Sequence, residues 1–578
     1  MKNLKKLLAL LLALVMVASM LAACGGEEAP ADETKAPSGN EGEQSGNEGD
    51  SGNTGTSTEN KKTGVGGDKE IGNYGGHLNV CIKSRPVNVD YVKATNSWNH
   101  FWSELIYEPF LTRDADNNIV PCVCDFELSE DQTDLKLWPR EGYILSHGYG
   151  QVDVYDLEAS FNRGLTMLAS AKKYVKPNVV SVSVENDGEK DYLHVVFKEY
   201  NELNMYYIAN TIPWWAVTAK EVAEKYASTN IMTQLDDAIG TGPYVVVDLQ
   251  DSIQVTVEKR DDYIPVDNSM YTGAAGTKYG YMDSITCWYN GQDDSAAMAL
   301  MSGSYDMTEA VPTSYLGMAE ESGVIYTAMP SNQRTWVYFN TVGDTLCRKY
   351  PSLRKAVLAA INYNDFLDVI TDSSMKFDQE LIVDEKYATD VFKNMDYYGD
   401  DNQEVVDKYL NEARAAGYND EPLQLYFSSG RTDVPTCFRQ YLEAAGINYE
   451  MNIQDPTATS AVTGDPSNNF DFYFGWGVSA YTPSLLSDAL MVDLFDDARK
   501  DELLAQMRVL EPGCDEYMAL WAELSTLMAE GAYIGWLSAI DWWWWHPKDL
   551  NLNNDEGLVR FVYNTYWDDP EQHPKGVF

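Results

Sequence analysis

Apolar and polar residues alternate at Leu78, Val80 and Ile82, a period of two that predicts a half-buried strand. The same alternation returns at Val180, Val182 and Val184 and again at Leu193, Val195 and Phe197. Thr241-Gly242-Pro243 breaks the chain just before Tyr244 to Val247, a turn feeding a strand. Elsewhere the period is helical. Leu353, Val357 and Ile361 fall one turn apart, as do Val405, Tyr409 and Ala413, and Leu520, Leu524 and Met528. Strands and helices interleave along the chain, which predicts an α/β architecture with largely parallel sheets. There is no tandem repeat.

Two opening segments carry neither period. Met1 to Lys6 holds three lysines and no acid, and Leu7 to Leu21 is almost wholly apolar. Leu21-Ala22-Ala23-Cys24 then leads into Gly25-Gly26. A charged start, a short apolar core and small residues before a cut predict a secretory signal over 1–23. The run is too short and wrongly flanked to span a bilayer. A cysteine at the cut resembles the lipobox of bacterial lipoproteins. That resemblance implies that the Cys24 thiol takes a diacylglyceryl group and becomes the mature terminus, since two chains suffice for stable anchoring. Residues 24–73 begin with this cysteine and continue as an acidic Gly/Ser/Asn tract with few apolar residues to bury. Such a segment is expected to be a disordered tether, with a root-mean-square reach of roughly 35–42 Å.

The remainder, roughly 500 residues, exceeds what one core holds and implies two or more lobes. Hydrophobic residues make up 44% of the chain, enough for a large interior. With 42 basic and 89 acidic residues the net charge is −47, so the surface repels nucleic acid and anionic lipid. Membrane attachment then rests on the lipid. Beyond Cys24 the other cysteines are odd in number, which excludes a complete disulfide framework. Cys122 and Cys124, two apart on one strand face, read as buried free thiols rather than a metal site. Asp114-Ala-Asp116-Asn117-Asn118 begins like a calcium loop, but Ile119 and Asp125 stand where glycine and glutamate belong. It reads as a solvated turn.

Several motifs follow in a particular order. GGHLNVCIK precedes a helix and Tyr107-Glu108-Pro109-Phe110; an acidic hairpin then leads to Arg140, Gly142, Ser146, Gly148 and Asp156. IGTGPYVVV (239–247), AAMALMSGSYD (296–306), Phe339-Asn340 with SLRKAVLAAIN, EARAAGYNDEPLQLYF, FRQYLEAAGINYEMN and FDFYFGWG come after. Together they resemble the bacterial extracellular solute-binding proteins of family 5, the substrate-binding lipoproteins of oligopeptide and dipeptide ABC importers. The resemblance covers 75–578. It implies a two-lobed, type II periplasmic-binding-protein-like α/β fold with an extra subdomain on the first lobe, closing on ligand by a hinge. The implied division is 74–107 for the first lobe, 108–235 for the extra subdomain and 236–335 for the first lobe continued. Residues 336–540 form the second lobe, and 541–578 return to the first.

The chain carries 38 Tyr, 15 Trp and 17 Phe, which suits a wide cleft lined by aromatic planes. The resemblance places Trp476, between Gly475 and Gly477, against ligand, with Tyr473 and Tyr481 flanking it. Trp98, Arg334 and Trp336 are further cleft candidates. Of Trp214-Trp215 one ring is expected in the core, and Trp542 to Trp545 are expected to serve packing more than binding. Peptide binders of this family often continue the tryptophan loop into an Asp-Tyr pair that neutralises the peptide amine; here Ala480 stands at the acid. A buried ammonium without a carboxylate is costly. Either Asp471 or another acid substitutes, or the ligand has no free amine. Some members bind oligosaccharides, whose rings suit aromatic faces.

No Gly-x-Ser-x-Gly elbow, His-Glu-x-x-His helix, P-loop or dinucleotide loop occurs. The expectation is a non-catalytic monomer without metal or cofactor, held by lipid on the extracytoplasmic face of the cell membrane. Its expected partners are a peptide or oligosaccharide ligand and ABC permease subunits, and not nucleic acid. The competing reading is a surface carbohydrate-active enzyme, a glycoside hydrolase working through paired carboxylates.

Overall fold

The computed structural model describes residues 72–578 apart from 94–96, 115–116, 229, 310, 370–372, 377–384, 400–401, 430–432, 479–481, 484–493, 553–561 and 576–578. The signal, Cys24 and the tether through residue 71 lie outside the described residues. β1 (His77–Ile82) opens the fold. Leu78, Val80 and Ile82 are fully buried, but so is Cys81 on the opposite face. The strand is covered on both faces rather than one, as parallel strands commonly are. α1 (Ser97–Ser103) follows.

The chain next builds an antiparallel sheet from β2 (Cys124–Leu128), β3 (Asp134–Pro139), β4 (Val179–Asn186) and β5 (Asp191–Phe197), in the order β2-β3-β5-β4. Leu193, Val195 and Phe197 alternate inward as expected. Val180 does not: it is 60% exposed, because β4 is an edge strand with a register break between Val179 and Ser181. α2 (Val154–Met167) covers this sheet through Leu157, Phe161 and Leu165. Its start is a capping box. Asp153 accepts from the amides of Tyr155 and Asp156, and the Asp156 carboxylate accepts from the Asp153 amide. Trp215 is buried against Phe161 at 4.6 Å, while Trp214 stays half-buried, as expected of the pair. α3 (Glu202–Ile208) follows.

β6 (Tyr244–Gln250), β7 (Gln254–Lys259) and β8 (Ser284–Tyr289) return to β1, giving the order β1-β8-β7-β6. The Gly-Thr-Gly-Pro turn before β6 lies against Leu105 and Ile106, whose carbonyls accept from Tyr244 and Gly242. α4 (Asp293–Met301) leads to β9 (Val324–Phe339), which belongs to a third sheet. Its other strands are β10 (Ser373–Lys376), β11 (Leu423–Ser428), β12 (Tyr449–Gln454), β13 (Phe472–Val478) and β14 (Ile534–Pro547). The order is β10-β14-β9-β13-β11-β12. Helices α5 (Pro351–Ala360), α6 (Gln403–Ala415), α7 (Asp433–Ala445), α8 (Pro456–Thr463), α9 (Ala498–Met507) and α10 (Asp515–Gly531) connect or cover these strands. Leu353 and Val357 face the core from α5, with Ile361 just past its end.

The sheets are not largely parallel. β1–β8, β11–β12 and β11–β13 are parallel, and the other pairings within the three sheets are antiparallel. One reason is the long ribbon of β9 against β14. It runs through the third sheet and on to Trp545, which bridges Thr308 beside β1. Trp544 lies at the core beside Phe101 and Trp545 is 3% exposed, so these members of the tryptophan run do serve packing. Cys81, Cys122, Cys124, Cys287, Cys347 and Cys437 are buried free thiols, and Cys514 is half-buried. At the acidic turn the Asp114 carboxylate accepts from the Asn118 amide and side chain, and no metal-binding cluster occurs among the described residues.

Candidate functional site

β11 has a parallel neighbour on each side, β12 and β13. The chain leaves β11 through α7 and returns on one flank as β12, then crosses by α8 to the other flank as β13. The winding therefore reverses at β11. In α/β sheets such a reversal leaves a crevice outside the carboxyl ends of the strands, where ligands bind. Those ends are Ser428, Gln454 and Val478. In the first sheet the parallel strands β1 and β8 end at Ile82 and Tyr289.

Among the described residues past these ends are Lys83, Arg85 and Asp455. Lys83 Nζ lies 2.8 Å from Asp293 Oδ1, and each side chain is 5% exposed. Burial works against the ammonium, but Cys81 and Asp293 outweigh it and raise its pKa. Burial likewise pushes the neighbouring Cys81 thiol up. Arg85 is exposed and sits over the Tyr289 ring, 5.3 Å from its centroid. A hydrogen bond with Tyr289 and the negative charge of Asp455 both favour its charged form. Asp455 follows β12 and accepts from the Ala458 amide at the start of α8. Residues past β1 and past β12 are thus within electrostatic reach of each other.

Beside these ends, β9 and β13 build an aromatic stack. Tyr338 pairs with Tyr473, their rings stacked at 5.7 Å and 18°, and Trp336 packs on Tyr338 at 5.7 Å. Gly475 pairs with Trp336. A Cβ there would lie 3.0 Å from Trp336 Nε1 and 3.2 Å from both Tyr338 and Tyr473. The first glycine of Gly-Trp-Gly therefore makes room for three rings. Burial pushes the Tyr473 hydroxyl up to about 12 and the Tyr338 hydroxyl up as well, so both remain neutral donors at physiological pH.

Among the expected site residues, Tyr473 is half-buried in this stack, and Trp336 is 2% exposed within it. Arg334 lies two residues before Trp336 and is half-buried. The backbone of Trp476 pairs with Thr335 and that of Gly477 with Arg334, so β9 and β13 bring four of the candidates together. The Trp476 side chain, Ala480 and Tyr481 lie outside the described residues, as does the Trp98 side chain on α1. Asp471 stands apart. It is 3% exposed, and its carboxylate accepts from the amides of Cys347 and Gln424 at 3.0 and 2.9 Å. That engages both oxygens in holding the start of α5's leader against β11; burial raises its pKa despite these bonds. Sequence reasoning missed Ser428, Arg85, Asp455 and Tyr338. The available signal was the strand-then-serine pattern LQLYFSS, whose carboxyl end marks a crevice only once strand order is known.

Residues 124–491 match the family model of the bacterial extracellular solute-binding proteins, family 5 (middle region). Solved structures match nearly the whole described fold. One is the ABC transporter-associated periplasmic binding protein DppA from Helicobacter pylori in complex with the peptide STSA. It has a TM-score of 0.70 and 14% identity, over 86% of this chain and 99% of that one. A second is the oligopeptide-binding protein AppA from Bacillus subtilis with a nonapeptide, at TM-score 0.68 and 15% identity, over 86% and 100%. A third is NikA from Staphylococcus aureus with Ni(L-His)2, at TM-score 0.67 and 14% identity, over 85% and 100%. The fold is that of the two-lobed type II periplasmic binding proteins.

Proposed function

The chain belongs to the bacterial extracellular solute-binding proteins of family 5, and from this we propose that it is the lipid-anchored substrate-binding component of an ABC importer, capturing peptides or oligosaccharides between two closing lobes. The observation that carries the reading is the family match over 124–491, joined to the reversal of strand order at β11, the place where such sheets bind ligands. Two structural relatives hold peptides and a third holds a nickel–histidine chelate, so the lining rather than the fold selects cargo. Aromatic rings supply area and a polar handle to either peptide or sugar. In this reading Trp476, Tyr473 and Tyr481 line the cleft, with Trp98 and Arg334 around them and the buried Trp336 backing the ring stack.

The lobes divide near residues 336 and 540, and the β9–β14 ribbon is the hinge. Its register shifts between Met329 and Gln333, a break that suits bending. The lipid on Cys24 and the acidic tether hold the domain beside its permease. Asp471 is engaged by backbone amides, which favours a cargo read by neutral groups over capture of a free amine.

The test uses the full-length protein in detergent. Thermal shift and small-angle scattering are recorded with free and N-acetylated tri- to pentapeptides, and with malto- and cello-oligosaccharides. A higher melting temperature and a smaller radius of gyration with at least one set are expected. No shift with either set refutes the cargo assignment. In cells, Cys24→Ala is expected to release the protein or leave it unprocessed; unchanged processing and membrane retention refute the anchor.

A further inference from the structure

Ser428 is the last residue of β11, the strand at which the winding of the third sheet reverses. It is 5% exposed, and its Oγ is buried with no hydrogen-bond partner. A hydroxyl offers one donor and two acceptor positions. Leaving them unmade inside a protein is costly, so buried hydroxyls are nearly always paired. The backbone around it shows no such shortfall. The Ser429 amide donates to Gln454 O, and Thr459 Oγ1 on α8 donates toward the carbonyls of Phe427 and Gln454. The unmet group here is the Ser428 side chain.

Its neighbours lie within electrostatic reach of the residue that follows β1. Ser429 is bonded to Gln454, the neighbour of Asp455. Asp455 in turn acts on the charge of Arg85, which follows β1 of the first sheet. Among the described residues past these strand ends, Lys83 is held by Asp293, and the charge of Asp455 acts on Arg85. Among the described residues, the end of β11 offers an incoming molecule the neutral hydroxyl of Ser428.

We propose that Ser428 Oγ is a ligand contact, hydrogen-bonding an uncharged polar group of the cargo at the switch point of the third sheet. This rests on the cargo-binding reading above. A peptide carbonyl or amide and a sugar hydroxyl share the required chemistry, and the arms of the test separate them.

Ser428→Ala and, as a control one residue away, Ser429→Ala are made in the full-length protein. Binding of the same peptide and oligosaccharide sets is measured by calorimetry. Ser429 bonds through its backbone, so its substitution keeps the Gln454 contact. Ser428→Ala is expected to weaken the set that wild type binds by about three- to tenfold. Its ligand-free melting temperature is expected to stay level or rise, since it loses an unpaired buried hydroxyl. Ser429→Ala is expected to bind as wild type. Loss of affinity for peptides assigns the contact to a peptide group; loss for oligosaccharides assigns it to a sugar hydroxyl. Unchanged affinity in Ser428→Ala, while wild type binds, overturns the contact and leaves the cargo reading standing. Equal losses in both variants, or a lowered melting temperature in Ser428→Ala, overturn it in favour of a structural role. Absence of binding by wild type to either set removes the cargo reading and the contact with it.

Discussion

The Arg163 guanidinium donates through Nη2 to both carboxylate oxygens of Asp90, at 2.8 and 2.7 Å, with neither side chain exposed. Asp90 also accepts from the amides of Val92 and Met232, and Arg163 lies over the Tyr91 ring at 4.9 Å. The pair joins the segment after β1 to α2, which covers the antiparallel sheet. Removing one partner of such a pair strands a buried charge and costs roughly 3–5 kcal/mol. Asp90→Ala is therefore expected to lower the melting temperature sharply. Guanidinium titration of the variant checks it; a loss below about 1 kcal/mol, the size of an exposed pair, would contradict this account.

His194 bridges two acids on the antiparallel sheet. Its Nδ1 lies 2.9 Å from Glu185 and its Nε2 3.0 Å from Asp134. Burial opposes the charged ring, but the hydrogen bonds with Glu185 and Asp134 prevail and raise its pKa above 6.5. A raised histidine pKa gives stability that is present below the unfolded value and lost as pH rises through the folded one. Stability from this site is thus expected to fade as pH climbs past 6.5. Proton NMR titration of His194 and the pH dependence of unfolding, which should flatten in His194→Gln, provide the check.

Gly240 is expected to reject any side chain. A Cβ there would lie 2.0 Å from the Ile106 carbonyl oxygen, and one at Gly242 would lie 2.6 Å from that of Leu105. Backbone cannot yield as a flexible side chain can. Gly240→Ala is expected to destabilise by about 1–3 kcal/mol, whereas alanine at Gly317, with open space around it, is expected to have little effect. Paired melting curves decide.

Trp336 and Trp476 are expected to behave oppositely. Trp336 is buried in the ring stack, so Trp336→Ala should cost roughly 3–5 kcal/mol of stability. Trp476, between two glycines, is proposed to face cargo. Trp476→Ala should weaken binding of the peptide or sugar set by about tenfold, from lost stacking and lost area. Calorimetry on the folded fraction distinguishes the two; an unchanged affinity with a large fall in melting temperature would move Trp476 to the core.

Much of the candidate site was legible only in part. Gly-Trp-Gly drew attention to β13, and Arg334 and Trp336 to β9, yet nothing local says that these strands are neighbours. Asp471 was legible as an acid near the tryptophan loop. That its oxygens are engaged by the amides of Cys347 and Gln424, far off in the chain, was not. The alternation at Val180 promised a buried face that an edge strand does not provide.

Sequence by itself determined the element types, because a period of two or of 3.6 is a local property that burial of one face imposes. It also determined the motif order that marks the family and the unpaired state expected of Cys122 and Cys124. Tertiary structure alone decided strand order, the long antiparallel ribbon and the reversal at β11. Pairing partners are chosen by packing between residues hundreds of positions apart, and no local pattern encodes that choice. For the same reason an ordinary serine such as Ser428 gains its meaning only when the fold leaves its hydroxyl buried and unpaired at the end of a parallel strand.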